Sequence, residues 1–450
     1  MQSWLPSLAA ESGPKYAMIA DAIAGAIRTG ELRPGERLPA QRDLAARLGV
    51  DLTTVTRAYS LAAQGGLIEG AGKLGSFVRN DAAAAGMSET AGQGGMNVPP
   101  QPAFALLPEA VRTGTAALLR AGRHSPILQY QPSAGHPLER AQAADALSAR
   151  GVPTEAEQVA ITAGAQNALH AIVATTLRPG DRIACAGFIY PGMIALARRQ
   201  ALLLEPVAGD GDGIVPEALD AVLKGDTRTV YLTATNDNPT TTTMSLARRQ
   251  AIAAVIRRRG ATLIEDDAYG LLPSAKLPPL ASLIPERSWY IMGTSKVISP
   301  ILRVAHVRAP SAQPAALLAS DIGETAVMAP PLNAALVTAW MRDGSFDRLV
   351  AGVRAEAVAR QRLVARCLEG LNYATHAEGY HLWLDLGPDV DPAELVARIS
   401  PLGLSIVSGE TFAVARQGGS SHVRISVGGA LDHARLERAL LRVRALAEGR

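Results

Sequence analysis

Apolar positions recur at helical spacing near the start of the chain. Tyr16, Ile19, Ala20, Ile23 and Ile27 form one stripe and predict a helix over Tyr16–Arg28. A turn-rich stretch, Leu32–Pro39, follows. Leu44, Ala45 and Leu48 face inward from a short helix over Gln41–Leu48, and Gly49 stops it, because glycine accepts the left-handed backbone of a helix end. Asp51 is placed to cap a further helix whose buried face is Val55, Ala58, Tyr59 and Ala62. Its polar face offers Thr53, Thr54, Thr56 and Arg57. Gly66–Glu69 and Gly75–Val78, separated by Ala71-Gly72-Lys73, predict a small hairpin. Periodicity then vanishes in the run DAAAAGMSETAGQGGMNVPPQP, whose composition predicts a linker over residues 80–102. Beyond it, long helical patterns alternate with β-rich runs at Arg182–Ala184, Thr229–Thr233, Ala261–Ile264, Trp289–Met292 and Val304–Val307. That alternation predicts an α/β domain over 103–450 with a mainly parallel sheet.

Composition narrows the class. At 450 residues the chain exceeds one ordinary core, so two or three domains are expected. Apolar residues at 48% and charged residues at 19% exclude a disordered chain. Two cysteines, Cys185 and Cys367, cannot build a disulfide framework, which predicts a reducing cytoplasm. Met1–Ala10 has no basic stretch before an apolar one and does not read as a signal peptide; no apolar run reaches membrane-span length. Charge does not mark a nucleic-acid partner, since the whole chain carries only +3. Two short helices about a tight turn do point to one, because this is how a second helix is set into the DNA major groove. The competing reading is a three-helix packing module without a ligand.

The word pattern decides between them. LPAQRDLAARLGV, DLTTVTRAYSLAAQGGLIE and GAGKLGSFV together resemble the winged helix-turn-helix of the GntR regulators. The resemblance implies a DNA-binding domain over residues 1–79, with Arg42, Thr53, Thr54, Thr56, Arg57 and Lys73 as DNA contacts. Ala40 stands where the family usually has a capping serine, and Leu52 where many members carry an arginine. The second departure moves the expectation there from base reading toward phosphate contact.

Chemistry concentrates in the remainder. Lys296 follows the apolar run Trp289–Met292 in Gly293-Thr294-Ser295-Lys296, and a lysine leaving a strand end into a cleft can act as an imine-forming nucleophile. Arg303, seven residues on, can hold a phosphate in its planar fork. Leu263–Tyr269 reads as a buried strand ending in acids, where an aspartate can pair with a pyridinium nitrogen and a tyrosine with a phenolic oxygen. Glu265 and Asp267 read as supporting or solvated groups. Asn238 can bond the same phenolic oxygen, Tyr190 can stack on a pyridine face, and Thr162–Gln166 can cradle a phosphate before an alanine-rich helix. His136, His381 and His422 lack metal-ligand spacing and read as structural.

In order along the chain, QYQPSAGHPLERA, ITAGAQNAL, TATNDNPTTTTMS, IEDDAYG, GTSKVISPILRV, GYHLWLDL, GETFAV and HVRISVGG resemble the fold-type I aminotransferases. The resemblance implies pyridoxal 5'-phosphate bound as an internal aldimine on Lys296, with Ser295 beside it. Asp266 would face the ring nitrogen and Tyr269 and Asn238 the phenolic oxygen, while Arg303, Gly164 and Ala165 hold the phosphate. Arg424 would grip a substrate α-carboxylate, and Tyr130 would reach the phosphate of a partner subunit. A smaller C-terminal α+β subdomain is implied over about 345–450. Two family glycines are replaced, by Thr241 and by Ile301, and Ile301 is expected to narrow the pocket or shift the phosphate loop. A GntR head joined by a linker to such a domain resembles the MocR subfamily. That layout implies a homodimeric regulator, domain-swapped head to tail, which binds operator DNA and senses an amino acid or amine by aldimine exchange. The alternative is a working aminotransferase with a secondary DNA-binding head.

Overall fold

The computed structural model describes residues 4–5, 15–29, 31–32, 35–64, 67–70, 75–79, 95–101, 106–120, 126–415 and 420–449. It divides the chain after Met96 into two units. In the first, the helical stripe forms α1 (Lys15–Thr29), followed by α2 (Gln41–Leu48) and α3 (Leu52–Gln64). Gly49 ends α2 at φ 61°, as its sequence position requires. The Asp51 carboxylate accepts from the Thr53 backbone N–H at 2.8 Å and from its hydroxyl at 2.6 Å, which starts α3. Ala40 offers α2 no such cap. Ile19, Ile23, Leu38, Leu44, Val55 and Ala58 close the core of this unit. The Tyr59 hydroxyl, buried with it, donates to the Pro39 carbonyl at 2.8 Å and ties α3 to the turn before α2. The antiparallel wing is β1 (Ile68–Gly70) paired with β2 (Ser76–Val78), with Ile68 opposite Val78.

The second unit opens with α4 (Leu106–Leu119) and α5 (Pro137–Ala149), the latter capped by the His136 ring. Strands and helices then alternate: β3 (Val159–Thr162), α6 (Ala165–Thr176), β4 (Arg182–Ala186), α7 (Pro191–Arg199) and β5 (Leu203–Val207). A short hairpin, β6 (Gly209–Asp210) and β7 (Gly213–Ile214), leads to α8 (Pro216–Val222), β8 (Thr229–Leu232), α9 (Leu246–Arg259) and β9 (Thr262–Asp266). β10 (Ser288–Gly293) and β11 (Ala305–Arg308) complete a seven-stranded sheet in the order β3-β11-β10-β9-β8-β4-β5. Only β11 runs against its neighbours. All five predicted β-rich runs are strands of this sheet. β3 and β5 were not foreseen; β5 carries Glu205 and Pro206, which break its apolar run. Alternation divides the strands between two faces. Val230, Leu232 and Leu263 pack with α5 and α9, while Tyr231, Ile264 and Ile291 pack with α6 and α7.

α10 (Ala312–Thr325), α11 (Pro331–Asp343) and the long α12 (Ser345–Cys367) lead into β12 (Tyr373–Thr375), β13 (His381–Asp385), α13 (Pro392–Ile399), β14 (Ser405–Ser408), β15 (His422–Ser426) and α14 (His433–Ala447). These strands make a four-stranded antiparallel sheet, β12-β13-β15-β14, with α13 and α14 packed beside it. Among the described residues, no helix is long and apolar enough to cross a membrane.

One expectation needs correction and another is narrowed to one of its two alternatives. The linker was drawn to residue 102, but Asn97 begins the second unit and is 2% exposed, and Pro99 and Pro100 are buried as well. Composition could not reveal this, because the partners of these residues are hundreds of positions away. Glu265 and Asp267 are not solvated. The Glu265 carboxylate accepts the Leu280 and Ala281 backbone N–H groups, and burial pushes its carboxyl up. Asp267 accepts from the Tyr290 hydroxyl at 2.5 Å and from Arg150 at 3.1 Å in a dry pocket.

Removing one member of such a buried pair leaves the other charge uncompensated. Arg150→Met is expected to destabilise the second unit by about 3 kcal/mol, seen as a lower calorimetric melting temperature for its transition. An unchanged transition would mean that the Arg150–Asp267 pair adds nothing to the stability of this unit.

Candidate functional site

The parallel strands deliver their chemistry at their C-terminal ends, where side chains leave the sheet and the loops open a crevice. Three of these ends meet. β8 runs into the Asn236–Thr241 loop, β9 ends at Asp266, and β10 is followed by Lys296. Thr294 fixes the turn to the lysine, since both its backbone N–H and its hydroxyl donate to the Val304 carbonyl at 3.1 and 2.9 Å. The Tyr380 hydroxyl donates to the Lys296 carbonyl at 2.8 Å. Burial lowers the Lys296 amine to about 8, and the Arg424 charge pushes the same way, while Asp266 opposes it. A share of the amine is therefore neutral and nucleophilic near neutral pH.

Asp266 is 5% exposed. One carboxylate oxygen accepts from the Tyr231 hydroxyl at 3.3 Å; the other, Oδ1, is buried with no hydrogen-bond partner. Burial raises its carboxyl to about 6, so it is mostly ionised at neutral pH. An ionised oxygen in a dry cleft calls for a donor, and a protonated pyridine nitrogen is one. The phosphate cradle fits as well. Gly164 precedes α6 at φ 87° with no side-chain cap, leaving the first N–H groups of α6, from Ala165 on, without partners in the helix. A Cβ on Gly164 would lie 3.0 Å from the Arg303 guanidinium, so only glycine leaves the space between them. Arg303, at φ 47°, donates to the Ala163 carbonyl at 2.8 Å, which turns its fork toward the same cradle. The residues present thus suit pyridoxal phosphate at both its nitrogen and its phosphate.

Tyr269 is buried at 2% exposure, and burial pushes its hydroxyl up. Arg424, on β15, is 1% exposed; burial lowers its guanidinium to about 10, and it remains charged. Its Nη1 donates to the Asn238 side-chain oxygen at 3.3 Å, which sets the amide of that loop beside the arginine. Tyr190, half-buried at the start of α7, feels the Asp266 and Arg303 charges. Ser295, also half-buried, lies between Thr294 and Lys296. Tyr130 is 82% exposed and joins none of these hydrogen bonds among the described residues.

Ile301 does not narrow the pocket, contrary to expectation. Its side chain is 64% exposed and its N–H is held by the Ser299 hydroxyl. Thr241 does keep glycine's backbone, at φ 64°. Its N–H donates to the Asp237 carbonyl at 2.7 Å, and Asp237 donates back to Thr242 at 2.9 Å, which offsets the cost of about 1 kcal/mol for a side chain in that region.

Sequence reasoning missed Asn97, Tyr231, Tyr380 and the position of His381. The His381 ring centroid lies 5.3 Å from that of Tyr269, its Nε2 is 2.9 Å from the Asp237 carbonyl, and burial lowers it to about 3. It is therefore neutral, a packing group at the edge of the site. Among the described residues no cluster of potential ligands could hold a metal ion.

In the first unit, Arg42, Thr53, Thr56 and Arg57 are exposed and Thr54 is half-buried. Several are already engaged. The Thr53 hydroxyl serves the Asp51 cap, the Thr56 hydroxyl donates to Gln41 at 2.8 Å, and the Arg57 guanidinium rests 4.0 Å over the Tyr16 ring. The stack fixes the direction of Arg57 without using up its donors. Leu52 heads the helix 39% exposed. Lys73 lies outside the described residues.

Comparison with known proteins agrees with both units. Residues 95–443 match the model of aminotransferase class I and II, and residues 15–78 match that of the bacterial regulatory proteins of the gntR family. The chain is 28% identical over 452 residues to an uncharacterized HTH-type transcriptional regulator, YdeF, of Bacillus subtilis, covering 99% of this chain and 96% of that protein. It is 29% identical to the vitamin B6 salvage pathway transcriptional repressor PtsJ of Salmonella typhimurium, covering 88% and 90%. Among solved structures it resembles LysN, an α-aminoadipate aminotransferase of Thermus thermophilus complexed with N-(5'-phosphopyridoxyl)-L-leucine. That match has a TM-score of 0.72 and 26% identity, over 81% of this chain and 94% of the other.

The lowered lysine sets a pH dependence. Only the neutral amine attacks a carbonyl, so uptake of pyridoxal phosphate by the cofactor-free protein should accelerate through a midpoint near 8 and level off above it. Stopped-flow absorbance across pH 6.5–10 tests this. Acceleration continuing to the top of that range would show an ordinary solvated lysine.

Proposed function

We propose, because the chain belongs to the class I and II aminotransferase family and joins that domain to a GntR head in the MocR layout, that it regulates transcription in response to an amino acid or amine sensed at Lys296. The observation that carries this reading is the unpartnered Asp266 oxygen beside a nucleophilic lysine, in a chain that also presents a capped, exposed recognition helix. When bound, pyridoxal phosphate supplies an electrophilic carbon for amines and a ring that withdraws electrons. The chain's own residues do the rest. Asp266 would hold the ring nitrogen, Tyr269 and Asn238 would flank the phenolic oxygen, and Tyr190 would stack on the ring. Gly164, Ala165 and Arg303 would hold the phosphate, with Ser295 beside Lys296 at the cofactor. Lys296 would hold the cofactor through its carbon, for which an effector amine would compete, and Arg424 would pair its fork with a carboxylate on such an effector.

The exposed Tyr130 suits a homodimer in which it completes the partner's phosphate site, with the two chains arranged head to tail. Arg42, Thr53, Thr54, Thr56, Arg57 and Lys73 serve the DNA contact, and the reducing cytoplasm suits two buried thiols. The effector acts only through its unequal affinity for two arrangements of the protein, and DNA affinity follows the same balance.

Lys296→Ala should lose the visible cofactor band and every DNA-binding response to amines while still binding the DNA fragment that the wild type selects from a random library. A retained covalent band would remove Lys296 from its role. Arg57→Ala should weaken that DNA complex about tenfold at moderate salt with the cofactor spectrum unchanged; an unaltered gel shift would take Arg57 off the DNA face. Arg424→Ala should blunt spectral responses to amino acids far more than to simple amines, and equal loss for both would count against carboxylate recognition. Sustained conversion of an amino acid to its oxo acid, with DNA affinity indifferent to it, would favour a working aminotransferase instead.

A further inference from the structure

Asn97 stands where the sequence leading from the head first enters the second unit, and its backbone carbonyl and both polar ends of its side chain bond within the lysine site. Its backbone carbonyl accepts a hydrogen from the Lys296 amine at 2.5 Å. Its side-chain N–H donates to the Tyr269 hydroxyl at 2.8 Å, and its side-chain oxygen accepts from the Ser426 hydroxyl at 2.5 Å. The next residues are pinned as well. The Gly429 N–H donates to the Val98 and Pro99 carbonyls at 3.1 and 3.3 Å. A Cβ on Gly428 would fall 1.8 Å from the Val98 carbonyl oxygen, so glycine there is what lets the segment lie down.

We propose that Asn97 is a positioning residue that reports the covalent state of Lys296 to the linker. The inference rests on Lys296 being the cofactor-bound amine. Valence supplies the argument. A free amine has hydrogens to give to the Asn97 carbonyl. When the same nitrogen condenses with the cofactor aldehyde and one water leaves, it keeps at most one hydrogen, which faces the phenolic oxygen of the ring. The buried Asn97 carbonyl then loses its donor, and a buried carbonyl without a donor favours release toward water. An amine that takes the lysine's place on the cofactor carbon frees Nζ again and restores the bond. The chain at residue 97 is therefore held in the cofactor-free and effector-bound states and loosened in the resting loaded state. The side chain adds a second effect. Because the Tyr269 hydroxyl accepts from Asn97, its own hydrogen is left to donate to the phenolic oxygen.

Amide hydrogen exchange of residues 95–101 in the full-length protein tests the latch. Loading with pyridoxal phosphate should raise exchange there about threefold or more. Hydroxylamine, which takes the cofactor carbon as an oxime and returns Nζ to an amine, should bring it back down. Lys296→Ala should exchange fast with or without the cofactor. Exchange that stays the same in cofactor-free and loaded wild type, with the visible band present, overturns this inference alone. A protein that never develops the band overturns the reading of Lys296 and the inference with it. The side-chain effect has its own readout. Asn97→Asp replaces the donor with an acceptor that competes for the Tyr269 hydrogen, so the pH midpoint of the loaded protein's visible band should rise by about one unit. An unmoved midpoint refutes the role of the side chain.

Discussion

Taking the Lys296 amine out of water weakens its hold on a proton, and the surrounding fold decides how far that goes. Burial is the largest cause of the lowering, and it leaves more of the amine neutral and nucleophilic. Arg424 repels its positive form, and Asp266 favours it, so the amine rests near 8, close enough to neutrality to be both protonated and reactive. The same exclusion of water leaves an Asp266 oxygen without a partner and keeps a charged arginine on β15 in a dry setting. Each of these is expensive without a ligand. The sheet bears that expense because both of its faces are packed largely with apolar side chains.

Local signals made much of this legible. The three helices and wing of the head follow from spacing, a glycine stop and an aspartate cap, all of which act within a few residues of one another. The five β-rich runs were visible because central strands of a sheet covered on both faces are largely apolar, whereas β5 hides behind Glu205 and Pro206. Lys296, Asp266 and Arg303 could be named because each lies in a distinctive word at a strand end. Asn97 could not. It occupies a stretch whose composition reads as linker, and its bonds go to Tyr269, Lys296 and Ser426, up to 329 positions away. No window of sequence contains that information. Ile301 misled for a related reason, since substitution for a glycine says that a Cβ is present but not which way it points.

The two units have different physical demands. The head needs a rigid helix pair with a few polar groups turned outward, and it gets this from a small core and the Tyr59 tether to Pro39. The larger unit needs a crevice that tolerates buried charge, which takes a wide sheet with structural ion pairs such as Arg150 with Asp267. Separate cores let each be tuned without disturbing the other.

The acceptor facing the lysine amine is a main-chain oxygen. Every amino acid supplies one, so replacing residue 97 leaves that contact chemically available and alters the side-chain bonds to Tyr269 and Ser426. Evolutionary drift at this position could therefore retune the colour and basicity of the bound vitamin while sparing the tie to the lysine. A genetic screen for uncoupled regulators would recover lesions in the glycines beneath the segment sooner than at its tip.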